Sequence, residues 1–487
     1  MNTLVDKALR TKASTSRFGE RVTLLGLDFG STTSSALLAS AQISQGTTGR
    51  LGLGEVKIEC RCDPVLTPFL GRSINMPEIA LLVQDWLKQS GVSVNMLFSG
   101  GSMITGLAAQ TDNAKALSQL ITSIMGDSVI ATADDPCLES WLAFMGSCSA
   151  LSRYHADTSI INLDIGGGTT NVALGMNGDV LQTGCYFIGA RHFQFAPGSY
   201  QITTMSSYGV ALLDALNIHK GIGATLRADE CAKIITFYVR ALEAIVLGEH
   251  DFFKLPIANK LCQAPIHLAS NAQSSITFSG GVGELIYQYI SDNILPSTTF
   301  FGDFGIDLAK AIVHSPLLSA NLKTCVPEHK GLATVVGLTL HSTEISGNTV
   351  YLPKPDCLPL RDLPIIAKLA LNAASEQWHN ALVLAAKRQH GACIQIIDLN
   401  INTPNQVKLL AQSIKNGLAT SNFPQHQPLV ILLQTNIGKA LGNYVSEWGQ
   451  SKVNLIVIDE VAPRNAHFVH IGRLHQQMIP VSFFGIH

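Results

Sequence analysis

Charge is scarce in this 487-residue chain: Asp, Glu, Lys and Arg make up 14%, and 33 basic residues against 35 acidic leave a net charge of −2. There is no basic field to draw in nucleic acid or an anionic membrane, so a nucleic-acid reader is not expected. Long apolar runs are missing too. Nowhere do 18 apolar residues follow one another, so no membrane-spanning helix is expected. The ten cysteines include no CxxC pair; Cys60 and Cys62 stand close, but no second pair completes a metal site. Reduced thiols in a cytosolic protein are the expectation. The 15 histidines, His192, His250, His467, His470 and His475 among them, bring no HExxH motif, which argues against zinc. The opening MNTLVDKALRTKASTSRFGER lacks the apolar core and cleavage site of a signal peptide. Residues 1–20 read as a tail, with a short helix bearing Leu4, Val5, Ala8 and Leu9 on one face as the alternative.

What the chain has instead is apolar surface, 46% of its residues, and a length beyond one core. Two to four domains with large buried areas follow. From Val22 the chain reads as strand, turn and strand, then EVKIEC as a further strand. MPEIALLVQDWLKQSG and NAKALSQLITSIMGD have helical spacing and end at glycine, with the strand VNMLFSGG between them. SVIATA is a strand, and DPCLESWLAFMGSCSALS a helix with Asp135 as N-cap and Pro136 at its first position. Residues 190–225 show no clear period and read as an irregular insert. A long helix follows at 228–248, and SSITFSGGVGELIYQYI is strand, glycine turn and helix. Proline and turn signals at 342–362 mark a boundary. Beyond it ACIQIIDLN, PLVILLQTN and VNLIVIDEV are three buried strands separated by helices, the pattern of a small parallel-sheet domain. The divisions expected are 21–150, 151–345 and 346–487.

An internal repeat decides how these pieces relate. LDFGSTTSSALL (27–38) lies over LDIGGGTTNVAL (163–174) without a gap, matching Asp28 with Asp164, Gly30 with Gly166 and Thr33 with Thr169. One such turn is an ordinary hairpin. Two matching turns suggest duplicated domains facing each other across a cleft. Glycine lets main-chain N–H groups approach a polyanion, and hydroxyls add donors at little bulk. The phosphate-binding set is then Gly30, Ser31, Thr32 and Thr33 on one side, with Gly166, Gly167, Gly168, Thr169 and Thr170 on the other. Two carboxylates near those phosphates repel unless a cation sits between them. Mg²⁺ suits this, since it keeps most of its waters. Asp28 and Asp164 would orient the hydrated metal and a water attacking the γ-phosphate. A third piece, ITFSGGVGE, brings Gly280, Gly281 and Gly283 with Glu284 to a turn that could lie under a purine and ribose.

Residues 22–345 resemble the actin-type ATPase superfamily. That resemblance implies an α/β fold with duplicated actin-like (ribonuclease H-like) ATPase domains around a nucleotide cleft, plus the small C-terminal α/β domain. PCLESWLAFMG and ATVVGLTLHS fall where its two connecting helices belong, and SGGVG is its adenosine turn. Glu139 matches an acidic position that polarises water in some relatives; a first-turn glutamate favoured by the helix dipole is the alternative.

Further motifs resemble one family, the ethanolamine ammonia-lyase reactivating factors (EutA). They are LDIGGGTTNVALG, MITG, TDNAKALSQ, LESWLAFMG, SGGVGE, GDFGIDLAKAI, NTVYLPKPDCLPLRDLPI, GKALGNYV, LIVIDEV and the closing IPVS. The sequence departs from that family at Leu107, where a glutamate is usual, and at Gln110 and Asp112, where basic residues are usual. Between 190 and 225 little matches beyond Gly189 and Arg191.

The family implies an ATP- and Mg²⁺-dependent chaperone that opens the adenosylcobalamin-dependent lyase, so that damaged cobalamin leaves and intact cofactor enters. ATP and ADP are the implied ligands and the lyase the partner, with a homodimer and attachment to a bacterial microcompartment as options for a cytoplasmic protein. A small-molecule kinase, or a non-enzymatic ATP-binding assembly protein, remain the competing readings. Asp459 and Glu460 in IDEV read as turn acids or a partner contact. Lys439 in TNIGKALG lacks Walker spacing and reads as a surface residue at a helix start.

Overall fold

The fold is described from a computed structural model. It covers residues 21–486, apart from 46–50, 71–72, 106–107, 109–110, 126–128, 134, 269–273, 293, 342, 348, 398–402 and 476–477. The tail 1–20 and the departures at Leu107 and Gln110 lie outside the described residues.

The sequence repeat is also a repeat of topology. In the first sheet the order is Leu51–Arg61, Thr33–Gln45, Arg21–Phe29, Leu97–Ile104, Val129–Ala133. The first three strands are antiparallel neighbours, and the last two join in parallel. The second sheet runs Cys262–Ala264, Asp179–Tyr186, Thr170–Met176, Ile160–Ile165, Ser275–Ser279. It has the same antiparallel meander and the same parallel neighbour beyond the first strand. The second sheet lacks a fifth parallel strand among the described residues; Cys262–Ala264 extends its opposite edge. This is the duplicated ribonuclease H-like arrangement.

Helices cover the sheets because their apolar residues recur on one face. On the first sheet Ile79, Val83 and Trp86 of Met76–Ser90, with Leu117 and Ile121 of Ala114–Met125, pack on Leu25, Leu27 and Phe29. On the second, Ala228–Leu247 buries Ile234, Ile235, Tyr238, Leu242 and Ile245 before Gly248 ends it at φ 66°.

Between the sheets lie two crossed helices, each packed on the sheet of the opposite half. Pro136–Ser147 leaves the first half and packs on the second sheet, while Ala333–His341 leaves the second half and packs on the first. They touch backbone to backbone. A β-carbon added at Gly146 would run into the Ala333 carbonyl, and one at Gly337 into the Leu142 carbonyl. Asp135 caps the first of these helices, its side chain accepting from Leu138 N at 3.1 Å, as its sequence position suggested.

Residues 190–225 are not irregular. They form the hairpin Phe193–Phe195 with Ile202–Met205 and the helix Ser207–Ala215, capped by Ser206 Oγ accepting from Gly209 N at 3.0 Å. Phe193, Phe195, Ile202, Leu212 and Leu213 are buried in the core of the second sheet. Elements this short leave no periodic signature, since each contributes only one or two inward residues.

The last sheet is larger than the three strands expected. Its order is Thr343–Ile345, Pro480–Ile486, Ala466–Ile471, Leu360–Ala370, Ala392–Ile397, Pro428–Leu433, Asn454–Ile458. The last four are parallel, and an antiparallel edge of three adjoins them. The added parallel strand was hidden by Pro364 and the proline-rich stretch before it: Leu360–Pro364 pairs antiparallel with 466–471, and the chain changes partner from Ile365 onward. This sheet is tied to the rest by Gly485 N donating to Asp135 Oδ2 at 2.6 Å, and by Arg464 lying 4.9 Å over the Trp141 ring.

Candidate functional site

Each repeat closes in the same way. Gly30 N donates to Thr33 O at 3.0 Å, and Gly166 N to Thr169 O at 2.9 Å. Each aspartate takes a hydroxyl from the end of the parallel neighbour strand: Thr105 Oγ1 donates to Asp28 Oδ1 at 3.2 Å, and Ser279 Oγ to Asp164 Oδ2 at 2.6 Å. The pairing register explains this, since Phe29 sits opposite Ile104 and Asp164 opposite Ser279. The two hairpin tips meet. A β-carbon at Gly167 would strike Thr32 Oγ1 and stand 3.4 Å from Ser31 Cβ. That contact requires glycine.

Between the tips and the crossed helices lies a cleft of about 350 Å³. Burial pushes Asp28 up to about 7, opposed by the Thr105 hydrogen bond and reinforced by the negative charge of Asp164. Burial pushes Asp164 up to about 6 against the Ser279 hydrogen bond. Asn171, paired with Asp164 across the hairpin, keeps Oδ1 buried with no hydrogen-bond partner among the described residues. Two desolvated carboxylates and an orphaned amide oxygen fit a hydrated divalent cation, which takes oxygen ligands and few of them directly from protein. No group of three or more His, Cys, Asp or Glu that could hold a metal occurs among the described residues, so a closed, all-protein cage is not the match.

The far end of the cleft is built on Gly280–Asp292. Gly280 has φ 78° and its backbone lies against Ile165, where a β-carbon would come within 2.6 Å of the carbonyl oxygen. Gly281, Glu284, Leu285 and Gln288 face the cleft from this helix, with Gly331 and Leu332 opposite and Phe301 at the rim. A glycine floor with an aromatic edge is suited to a flat base and a ribose.

Most of the residues expected from sequence come together here. Asp28, Gly30, Ser31, Thr32 and Thr33 line one wall; Asp164, Gly166, Gly167, Gly168 and Thr169 line the other; Glu139, Gly280, Gly281 and Glu284 also line the cleft. Two do not. Thr170 is fully buried and donates to Ile188 O at 2.7 Å, so it braces the sheet. Gly283 faces the strand before its helix, where a β-carbon would stand 2.9 Å from the Phe278 carbonyl carbon.

Thr105, Asn171, Asp303 and Thr334 line the cleft without having been singled out; each lies in one of the quoted segments MITG, LDIGGGTTNVAL, GDFGIDLAKAI and ATVVGLTLHS, but nothing local to those segments shows which side chains turn to the cleft. Asp459 is no solvated turn acid: it is fully buried, taking hydrogen bonds from Thr349 Oγ1 and from Gly438 N, the latter at 2.8 Å. It therefore anchors the start of Gly438–Val445, on which Lys439 is exposed as expected. All ten cysteines are free thiols. His192 is fully buried and pushed down to about 4 by that burial. No helix among the described residues is long and apolar enough to cross a membrane.

Two curated relatives are similar over most of the chain. Ethanolamine ammonia-lyase reactivase EutA of Escherichia coli K12 is 27% identical over 469 residues, covering 92% of this chain and 94% of that protein. The protein of the same name from Salmonella typhimurium LT2 is 29% identical over 398 residues, covering 81% and 82%. Among solved structures, a Ppx/GppA family member from Aquifex aeolicus covers 57% of this chain and 72% of its own, at 14% identity and TM-score 0.34. Residues 20–483 match the family described as ethanolamine utilisation protein EutA. With nearly the whole length matched, the chain belongs to that family.

Proposed function

We propose that this chain is an ATP-dependent reactivating factor for ethanolamine ammonia-lyase, releasing damaged cobalamin so that intact adenosylcobalamin can bind. The observation that carries the nucleotide half is the meeting of two hairpin tips, each with an aspartate held by a hydroxyl from its neighbouring strand. Membership of the family, whose curated members are named as reactivases of that lyase, supports the partner.

Ser31, Thr32 and the Gly166–Gly168 loop bind the phosphates, while Gly280, Gly281 and Glu284 take the adenosine. A bound Mg²⁺, held by Asp28 and Asp164 through its waters, would neutralise phosphate charge. Glu139 lies in the first turn of its helix and lines the cleft, so it can orient the attacking water. Because both halves contact one ligand, its terminal phosphate biases them toward closure, and two closure states can differ in affinity for the lyase. In this reading 21–150 and 151–345 are the two jaws and 346–487 the unit that reports their angle. The protein works in the cytoplasm, without nucleic acid or membrane, as a homodimer and in association with a microcompartment.

Two measurements test this. Asp164→Ala should abolish ATP hydrolysis, and unchanged turnover would remove the site assignment. Cobalamin-inactivated lyase should be captured by the chain differently with ATP and with ADP. Capture that ignores the nucleotide would leave the partner reading without its mechanism.

A further inference from the structure

One charged group beside the cleft takes no part in the chemistry above. Gly189 lies flat on the second phosphate loop, where a β-carbon would stand 2.5 Å from the Gly167 carbonyl oxygen. That approach lets Ala190 N donate to Gly166 O at 3.1 Å and Arg191 N to Gly167 O at 2.6 Å. Arg191 is thereby fixed behind the loop tip, its Cβ 3.2 Å from where a Gly167 β-carbon would be. Its Nη1 is shut off from solvent and has no hydrogen-bond partner among the described residues. The counter-charge acting on the guanidinium is Asp303, a cleft-lining carboxylate whose Oδ1 already accepts from Gly305 N at 2.8 Å.

A guanidinium presents its donors in a rigid plane, and a buried donor without an acceptor is costly. The acceptor that matches such a fork is an anion with several oxygens, a phosphate above all. Ser31 and Thr32 touch the second loop at Gly167. A phosphate held by both tips at once lies beside that contact, on the cleft side that both tips line, and of the phosphates in a nucleotide only the terminal one need reach it.

We propose that Arg191 distinguishes nucleoside triphosphate from diphosphate, pairing with the terminal phosphate when it is present and standing without an ion pair when it is not. This rests on the ATP reading above. Arg191 and Asp303 both sit at the roots of the folded segment between 193 and 226. His192 Nδ1 shares a hydrogen bond with Ser206 Oγ at 2.8 Å, and Phe195 N donates to Gly302 O at 2.8 Å, so a change of partner is felt in that segment directly.

The test is calorimetric titration of the full chain with Mg²⁺ and either ADP or a non-hydrolysable ATP analogue. In Arg191→Met the analogue should bind at least tenfold more weakly, with ADP affinity held within threefold; Arg191→Lys should fall between. A variant that binds ADP normally and keeps the wild-type ratio of the two affinities overturns the Arg191 assignment alone. Equal weakening of both nucleotides in both variants reduces Arg191 to a brace for the loop and also overturns it. If the wild-type chain binds neither nucleotide, the ATP reading fails first.

Discussion

Asp164 is buried and Asp28 half-buried, within electrostatic reach of each other, and this sets the pH behaviour of the ligand-free protein. Their folded values of about 7 and about 6 lie above the ordinary 3.8. The folded chain therefore holds protons that the unfolded chain has released, and their contribution to stability is complete below about pH 4 and lost as pH rises through 6 and 7. Mg²⁺ needs the charged forms, so affinity for Mg·ATP should climb over the same window. Urea unfolding at pH 5 and pH 8, with and without Mg·ATP, should show opposite trends; parallel trends would contradict the shared site.

Asp164→Asn removes the buried charge while keeping an acceptor for Ser279. It should raise ligand-free stability at pH 8 by up to about 3 kcal/mol and abolish Mg²⁺-dependent nucleotide binding. A lower urea midpoint in this variant would overturn the burial argument. Both aspartates were legible in the sequence because the repeat displays them. Thr105 and Ser279 were not seen as their partners, standing 77 and 115 residues away and brought in only by strand pairing.

At the scale of elements, two glycines of similar appearance have opposite demands. Gly337→Ala would force a β-carbon against the Leu142 backbone, whereas Gly281 has nothing within 4 Å of the corresponding point. Gly337→Ala should therefore cost about 1–3 kcal/mol of stability. Gly281→Ala should leave stability within about 0.5 kcal/mol and weaken nucleotide binding instead. Thermal unfolding and nucleotide titration of the pair separate the two effects, and equal destabilisation would refute the assignment.

The long helices were readable because a period of 3.6 accumulates over several turns, as in Ala228–Leu247. The hairpin at 193–205 was not, since its strands of three and four residues are too short for any period to show. Leu360–Ala370 was missed for another reason: prolines argue against a strand, yet here Pro364 falls where the strand changes partners.

For the molecule as a whole, the duplicated halves were written in the repeat, but their connection to the last sheet was not. Asp135 caps a central helix and also holds Gly485, 350 residues away, and no local pattern reports such a contact. Asp135→Ala should cost about 1–2 kcal/mol through the lost cap alone. Hydrogen exchange should speed up in 480–486 as well as at the helix start; protection unchanged in 480–486 would show that the tie carries no load.

The crossing at Gly146 and Gly337 has a mechanical consequence. At those two points no side chain separates the backbones, and the close approach prevents the helices from moving nearer, while Leu138, Trp141 and Leu142 pack with Leu338 beside them. Such a joint can serve as a fulcrum. Were the two halves to turn about it, a small angle there would become a larger travel farther out, at Pro64 of the first half and Phe301 of the second, which both line the cleft.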